Sequence, residues 1–179
     1  MRRLVLLLAL CACDPRAGES VRKTFFADGK PWSELHYLRG KPDGVCTTWY
    51  ASGQKASLGS YTAGQQSGHW QRWHADGELA VDMHYQAGLL DGAYAEHWPD
   101  GKPKSHGSYQ GGKPEGLWTE WDREGRKTTE GSYRNGEREG VWTGWKADGS
   151  VAGHAVYEKG VFLSDPEKKK AALEAAGIH

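Results

Sequence analysis

The sequence predicts an all-β protein: tandem 24-residue β-hairpin repeats forming an elongated, twisted, mostly single-layer antiparallel sheet, with a short C-terminal capping helix. Three ladders predict it. Tyr37, Tyr61, Tyr85, Tyr109, Tyr133 and Tyr157 recur at a fixed step of 24 residues. Gly29, Gly53, Gly77, Gly101, Gly125 and Gly149 keep the same step. Gly40, Gly64, Gly88, Gly112, Gly136 and Gly160 follow each tyrosine by three residues, and Gly44, Gly68, Gly92, Gly116 and Gly140 sit four beyond. A register kept through six copies marks a repeat array.

Ahead of the repeats, Met1 to Ala12 reads as two arginines, an apolar run from Leu4 to Leu10, then small residues. That is the pattern of a secretory signal, too short for a permanent span of about twenty apolar residues. Leu10-Cys11-Ala12-Cys13 resembles the lipobox of bacterial lipoproteins, with cleavage before Cys13 and acylation of its thiol. The alternative frame ending at Cys11 puts a bulky leucine where the peptidase takes a small residue. Asp14, next to the acylated cysteine, resembles an inner-membrane retention signal. The chain therefore divides into a signal peptide (1–12), a lipidated polar tether (13–24), a repeat domain (25–163) and a C-terminal helix (164–179). Cys11 is discarded and Cys13 acylated, which leaves Cys46 alone and no disulfide framework. Cys46 stands in the register of Trp70, Tyr94, Trp118 and Trp142, as a small buried hydrophobe.

Within each repeat, Asp-Gly at 28–29, 76–77, 100–101 and 148–149, with Ser52-Gly53 and Glu124-Gly125 as variants, supplies positive φ for a hairpin turn. Leu79, Val81, Met83 and Tyr85 alternate with Ala80, Asp82 and His84, the period of a half-buried strand. Gly59, Gly107, Gly131 and Gly153 precede the tyrosines on the same face and leave gaps that a neighbouring ring can cover. On the partner strand, Trp70 and Trp73, Trp118 and Trp121, and Trp142 and Trp145 are three apart. A regular strand sends such a pair to opposite faces. Either a bulge brings both to one side or both faces carry aromatic rows.

The third repeat is irregular. Leu89 and Leu90 enter the turn between glycines, His97 takes the tryptophan register and Trp98 follows one residue late. After the last repeat, Ser164-Asp165-Pro166-Glu167 carries a capping pattern, and the run from Glu167 favours helix until Gly177. Leu173, Ala172 and Ala176 lie toward the last hairpin in that reading, and Lys168 to Lys170 form a solvated face.

The repeat Y-x2-G-x3-G-x-W-x2-W-x2-D-G over about residues 28–161 resembles the MORN-type repeat, and most closely a bacterial variant in proteins labelled YwqK-type antitoxin components. The resemblance implies the sheet architecture and a non-enzymatic binding role, and the label implies neutralisation of a toxin.

The chain has 23 basic and 23 acidic residues, so no electrostatic footprint for nucleic acid. Nine tryptophans and eight tyrosines in register replace an aliphatic core. Gly107 to Lys113 has the spacing of a phosphate loop, but Pro114 takes the place of the Mg²⁺-binding Ser or Thr. The histidines show no zinc spacing along the chain, and Asp76, Asp100 and Asp148 are turn residues. The reading is of no catalytic residue, no metal and no cofactor.

Three functions follow. The first is an envelope-anchored scaffold for protein–protein interaction, a monomer bound to a membrane through its lipid and facing the periplasm or exterior. The second is neutralisation of a cognate toxin or effector. The third is glycan or lipid binding along aromatic rows, with Trp70, Trp73, Trp98, Trp118, Trp121, Trp142 and Trp145 as the rings that could offer a ligand face.

Overall fold

The computed structural model describes residues 18–178, so the signal peptide at 1–12 and Cys13 lie outside the described residues. The described chain is nearly all β, with thirteen strands and one helix. It divides into two compact units, one running through Leu89 with Pro99–Gly101, the other comprising Leu90–Trp98 and the chain from Lys102 onward. In each unit the strands follow chain order, each pairing antiparallel with its sequence neighbours, so each sheet is a meander one layer thick.

The first unit holds β1 (Glu19–Phe25), β2 (Pro31–Leu38), β3 (Lys41–Trp49), β4 (Lys55–Thr62), β5 (Gln65–Trp73) and β6 (Leu79–Gln86). The second holds most of β7 (Leu89–His97), then β8 (Pro103–Gln110), β9 (Lys113–Trp121), β10 (Lys127–Arg134), β11 (Glu137–Trp145), β12 (Val151–Glu158), β13 (Val161–Phe162) and α1 (Pro166–Ala175). Residues 19–24, assigned to the tether from sequence, are strand: β1 pairs with β2 from Glu19↔Leu38 to Phe25↔Pro31. Arg22 stands where later copies carry Trp70, Trp118 and Trp142, which hid the strand, although Phe25 keeps the register of Trp49 and Trp73.

Two turn types alternate. At the Asp-Gly ends a β-turn closes before a glycine of positive φ: Gly77 N–H donates to the His74 carbonyl at 3.0 Å, and Asp76 Oδ1 accepts from Glu78 N–H at 3.1 Å. At the other end the connections are two-residue turns with both φ values positive, such as Ala63 (51°) with Gly64 (93°) and Asn135 (53°) with Gly136 (88°). This is the type I′ geometry, whose twist matches paired strands. Leu89 and Leu90 accordingly begin β7 instead of occupying a turn, because the turn is completed at Ala87 and Gly88.

These tight turns stack. Gly64, Gly112, Gly136 and Gly160 each donate a backbone N–H to the second residue of the preceding hairpin's strand, at Pro42, Leu90, Pro114 and Arg138, over 2.7–3.0 Å. The carboxylates of Asp43, Asp91, Glu115 and Glu139 accept the N–H of Ala63, Gly111, Asn135 and Lys159 at 2.7–2.9 Å. Each repeat thus clamps the turn of the next.

The ring core lies on one sheet face. Trp70, Trp118 and Trp142 are 5%, 8% and 4% exposed, with Cys46 and Met83 also buried there, while buried Val156 pairs with Val141 on the other face. A Cβ built on Gly59, Gly107 or Gly131 would fall inside the ring of Trp70, Trp118 or Trp142. These glycines are required because an indole occupies their side-chain space. Gly153 does not share this role: nothing approaches its Cβ position, and Ala155 pairs with Trp142.

The tryptophan pairs lie on opposite faces. Register shifts do occur beside the second ring, at Thr48/Trp49, Arg72/Trp73 and Gly144/Trp145. The extra residue belongs to the partner strand in each case, so the tryptophan strand keeps its alternation. At the C-terminus α1 touches β11 and β12, and none of its own residues is buried. Its N-cap is Asp165, not Ser164: the Asp165 carboxylate accepts from Glu167 and Lys168 N–H, and Pro166 takes the first helical position. Ala176 is exposed, whereas Ala172 and Leu173 are half-buried.

Candidate functional site

On the first face the rings form an alternating ladder within each unit. Trp70 lies edge-to-face with Tyr61 at 5.3 Å and Tyr85 at 5.9 Å. Trp118 stacks on Tyr94 at 5.6 Å and meets Tyr109 and Tyr133 edge-on at 5.6 and 6.0 Å. Trp142 lies 5.0 Å from Tyr133 and 6.5 Å from Tyr157. The indole N–H groups of Trp70 and Trp142 donate to the Ser60 and Ser132 carbonyls at 3.0 and 3.1 Å. With their N–H groups bonded and their rings covered, Trp70 and Trp142 are rings of the core, and Trp118, 8% exposed and touched by three tyrosines, is a third. Tyr61, Tyr85, Tyr109, Tyr133 and Tyr157 are half-buried partners of that ladder, while half-buried Tyr37 is approached by the Arg22 guanidinium at 4.9 Å. Burial raises the Tyr61 hydroxyl above its usual range and pushes the Cys46 thiol up, so neither is a poised nucleophile.

Trp73, Trp121 and Trp145 stand on the second face, half-buried, with Trp49 in the same register. Lys55 lies 5.2 Å from the Trp73 ring and Lys127 4.9 Å from Trp145, while His106 meets Trp121 at 5.3 Å. Lys127 also pairs with Glu130 at 2.7 Å, and Thr119 donates to the same Glu130 oxygen at 3.0 Å. The Lys127 ammonium, opposed by partial burial and aided by Thr119, holds the Glu130 carboxyl below the ordinary glutamate range. Farther from the Asp-Gly turns the same face exposes Val45 in the first unit and Leu117 in the second.

Trp98 is not a displaced member of the tryptophan row. It occupies the register of Tyr50, whose hydroxyl donates to the Trp73 carbonyl at 2.7 Å; the Trp98 indole N–H makes the equivalent contact to the Trp121 carbonyl at 3.4 Å. Its ring is approached by Lys104 at 4.9 Å and Arg123 at 5.1 Å. Trp98, Tyr94, Glu96, Lys104, Trp118 and Glu120 are among the residues lining a cleft of about 420 Å³ in the second unit. Lys104 pairs with Glu96 at 2.7 Å, and Thr129 donates to Glu120 at 2.7 Å. Sequence reasoning marked the third repeat through Trp98 but missed Glu96, Lys104 and Glu120. Their coming together depends on a bulge that the chain does not announce.

The histidines show the same limit. His69 stacks on His84 at 4.9 Å and bonds Asp82 at 2.7 Å, a cluster made by strand pairing and invisible in chain spacing. Among the described residues no group of three or more His, Cys, Asp or Glu is placed to hold a metal ion.

Residues 19–38, 42–63 and 66–87 match a family model described as a MORN repeat variant. The three matches are consecutive, and the structure continues the same register through Tyr157. MORN repeats are generally associated with protein or membrane binding and are typically non-enzymatic modules. No curated protein matches the chain.

Proposed function

We propose that this chain is a non-enzymatic repeat scaffold, held at a bacterial cell envelope by a lipid on Cys13, that binds a protein partner with a sheet face. The observation that carries the reading is Leu117, 61% exposed on the second face of the second unit, in the repeat register of half-buried Val141 and opposite a face filled with rings. Val45, 46% exposed, holds the same repeat position in the first unit. The repeat class supports a binding role, and the lipobox-like Cys13 supports attachment.

The test is affinity capture after in-cell crosslinking, comparing the mature chain with Leu117→Glu. The expected result is one dominant protein partner, lost in the variant while its unfolding midpoint stays within a degree or two of the parent. Retention of the partner by Leu117→Glu would remove the second face from the reading. Cys13→Ala is expected to shift the protein from the membrane fraction to the soluble one; unchanged membrane association would sink the anchor.

Two other readings share this experiment. A partner toxic when expressed alone would turn the scaffold into a neutralising protein, as the resemblance to YwqK-type antitoxin components suggests. Glycan or lipid binding is favoured by the half-buried Trp73, Trp121 and Trp145. Capture of wall or lipid material without a protein would support it.

A further inference from the structure

We infer that the cleft of the second unit is a socket for one basic side chain, arginine or lysine, of the protein partner. The inference rests on the scaffold reading and adds to it a second contact of that partner, on the ring face opposite Leu117. The cleft, about 420 Å³, holds a long side chain or a small molecule but not a folded element. Buried Trp118 and Ser105 contribute to its lining, with Tyr94, Tyr109 and Trp98 as aromatic walls.

Its carboxylates are unequal. Glu96 is satisfied, taking Lys104 at 2.7 Å and the Ser105 hydroxyl at 3.5 Å. Glu120 accepts a hydroxyl hydrogen bond from Thr129 at 2.7 Å and has no ion pair among the described residues. A half-buried carboxylate with only a neutral partner, set among aromatic rings, favours a cationic guest. The rings add to this, because their faces attract cations and their carbon surfaces cover a methylene stem. Trp98 illustrates the attraction, with Lys104 and Arg123 both drawn to it. Those two cations belong to the rim, and Glu120 is the open anionic position. Among the lining residues two carboxylates stand against one lysine, which disfavours an anionic guest. A neutral sugar could use the rings but leaves Glu120 uncompensated.

The test uses the full mature chain and two probes of matched shape, n-butylguanidinium chloride and neutral n-butylurea, followed through the indole N–H resonances of Trp98 and Trp118. The expected result is saturable shifts with the guanidinium and none with the urea at the same concentration. Glu120→Gln keeps the side-chain volume and a hydrogen-bonding partner for Thr129, and is expected to weaken guanidinium binding roughly tenfold, about one charge-assisted hydrogen bond. Equal response to both probes, or undiminished binding in Glu120→Gln with native chemical shifts elsewhere, would overturn the socket. The two readings fail separately. A captured protein partner indifferent to Glu120→Gln leaves the scaffold standing and removes the socket. Guanidinium binding that depends on Glu120, with no protein captured, leaves a cation site without the scaffold.

Discussion

Gly131 and Gly153 lie in adjacent hairpins of the same unit, and neither has a positive φ, yet their surroundings are opposite. The Trp142 ring fills the space of a Gly131 side chain, while the position beside Gly153 is open. Gly131→Ala should therefore destabilise the fold by about 1–3 kcal/mol through overpacking. Gly153→Ala should be neutral or stabilising by a few tenths of a kcal/mol, since alanine suits a strand better than glycine. Thermal or denaturant unfolding of the two variants side by side checks this, and equal effects would deny the ring-over-glycine core. Volume trading of this kind was partly legible in the sequence. Leu35 pairs with Cys46, a large residue against a small one, where the next repeat sets Gly59 beneath Trp70. Titration gives a second residue-scale expectation. Glu130 has a folded pKa below its ordinary value, so its contribution is present at neutral pH and is lost as pH falls through the acid range below about 4.5. Glu130→Gln should be less stable than the parent at pH 7 by about 0.2–1 kcal/mol, with the difference narrowing as pH falls below about 4.5. A gap that stays constant through the acid range would mean that packing, not the Lys127 pair, was lost.

Between one strand and the next, the decisive features are bulges and turn clamps, and here the sequence was only half readable. Asp-Gly pairs announce positive φ at Gly77 or Gly149, but the type I′ turns fall where Arg39, Ala63, Ala87, Asn135 and Lys159 take left-handed φ values beside a glycine. Non-glycine residues at those sites carry no obvious signature, because stacking on the neighbouring hairpin over-determines the conformation. The faces of Trp70 and Trp73 were likewise undecided, since one inserted residue on either strand reverses the answer. Clamp residues offer a direct test at this scale. Asp91→Ala removes the carboxylate that accepts Gly111 N–H, and should cost about 1 kcal/mol together with faster amide exchange at residues 111–112. The C-terminal helix contrasts with this. Asp165→Ala removes the N-cap of α1, worth about 1 kcal/mol to the helix. Because none of α1's own residues is buried, that loss should appear as faster exchange across residues 166–175 while the global midpoint hardly moves. A large fall in the midpoint would show that the helix is integral to the β12 end.

For the molecule as a whole, stability belongs to contacts between successive hairpins, which repeat in register and so should be interchangeable. Deleting Arg126–Gly149 joins Gly125 to Ser150 at the same repeat position and removes β10 and β11 together. The ring and turn contacts that span the deleted repeat have replacements, while the Thr129–Glu120 bond and the Arg126 pairs with Asp122 and Glu124 are lost, their places taken by Gly153 and Ser150. Tyr157 takes the place of Tyr133 beside Trp118, Lys159 presents its N–H to Glu115 in place of Asn135, and Gly160 reaches the Pro114 carbonyl in place of Gly136. The shortened chain should fold with a lower midpoint but an unchanged β-sheet spectrum. Deleting Gly125–Gly136 removes β10 and a single register's worth of turn, which sets β9 against β11 with both strands running the same way. A tight connection cannot join parallel strands, so that chain should lose its cooperative transition. Circular dichroism and thermal unfolding of the two deletions decide the matter. If both fold equally well, the hairpin pair is not the unit of assembly; if both fail, the ladder of rings acts as one indivisible core and not as a sum of neighbour contacts.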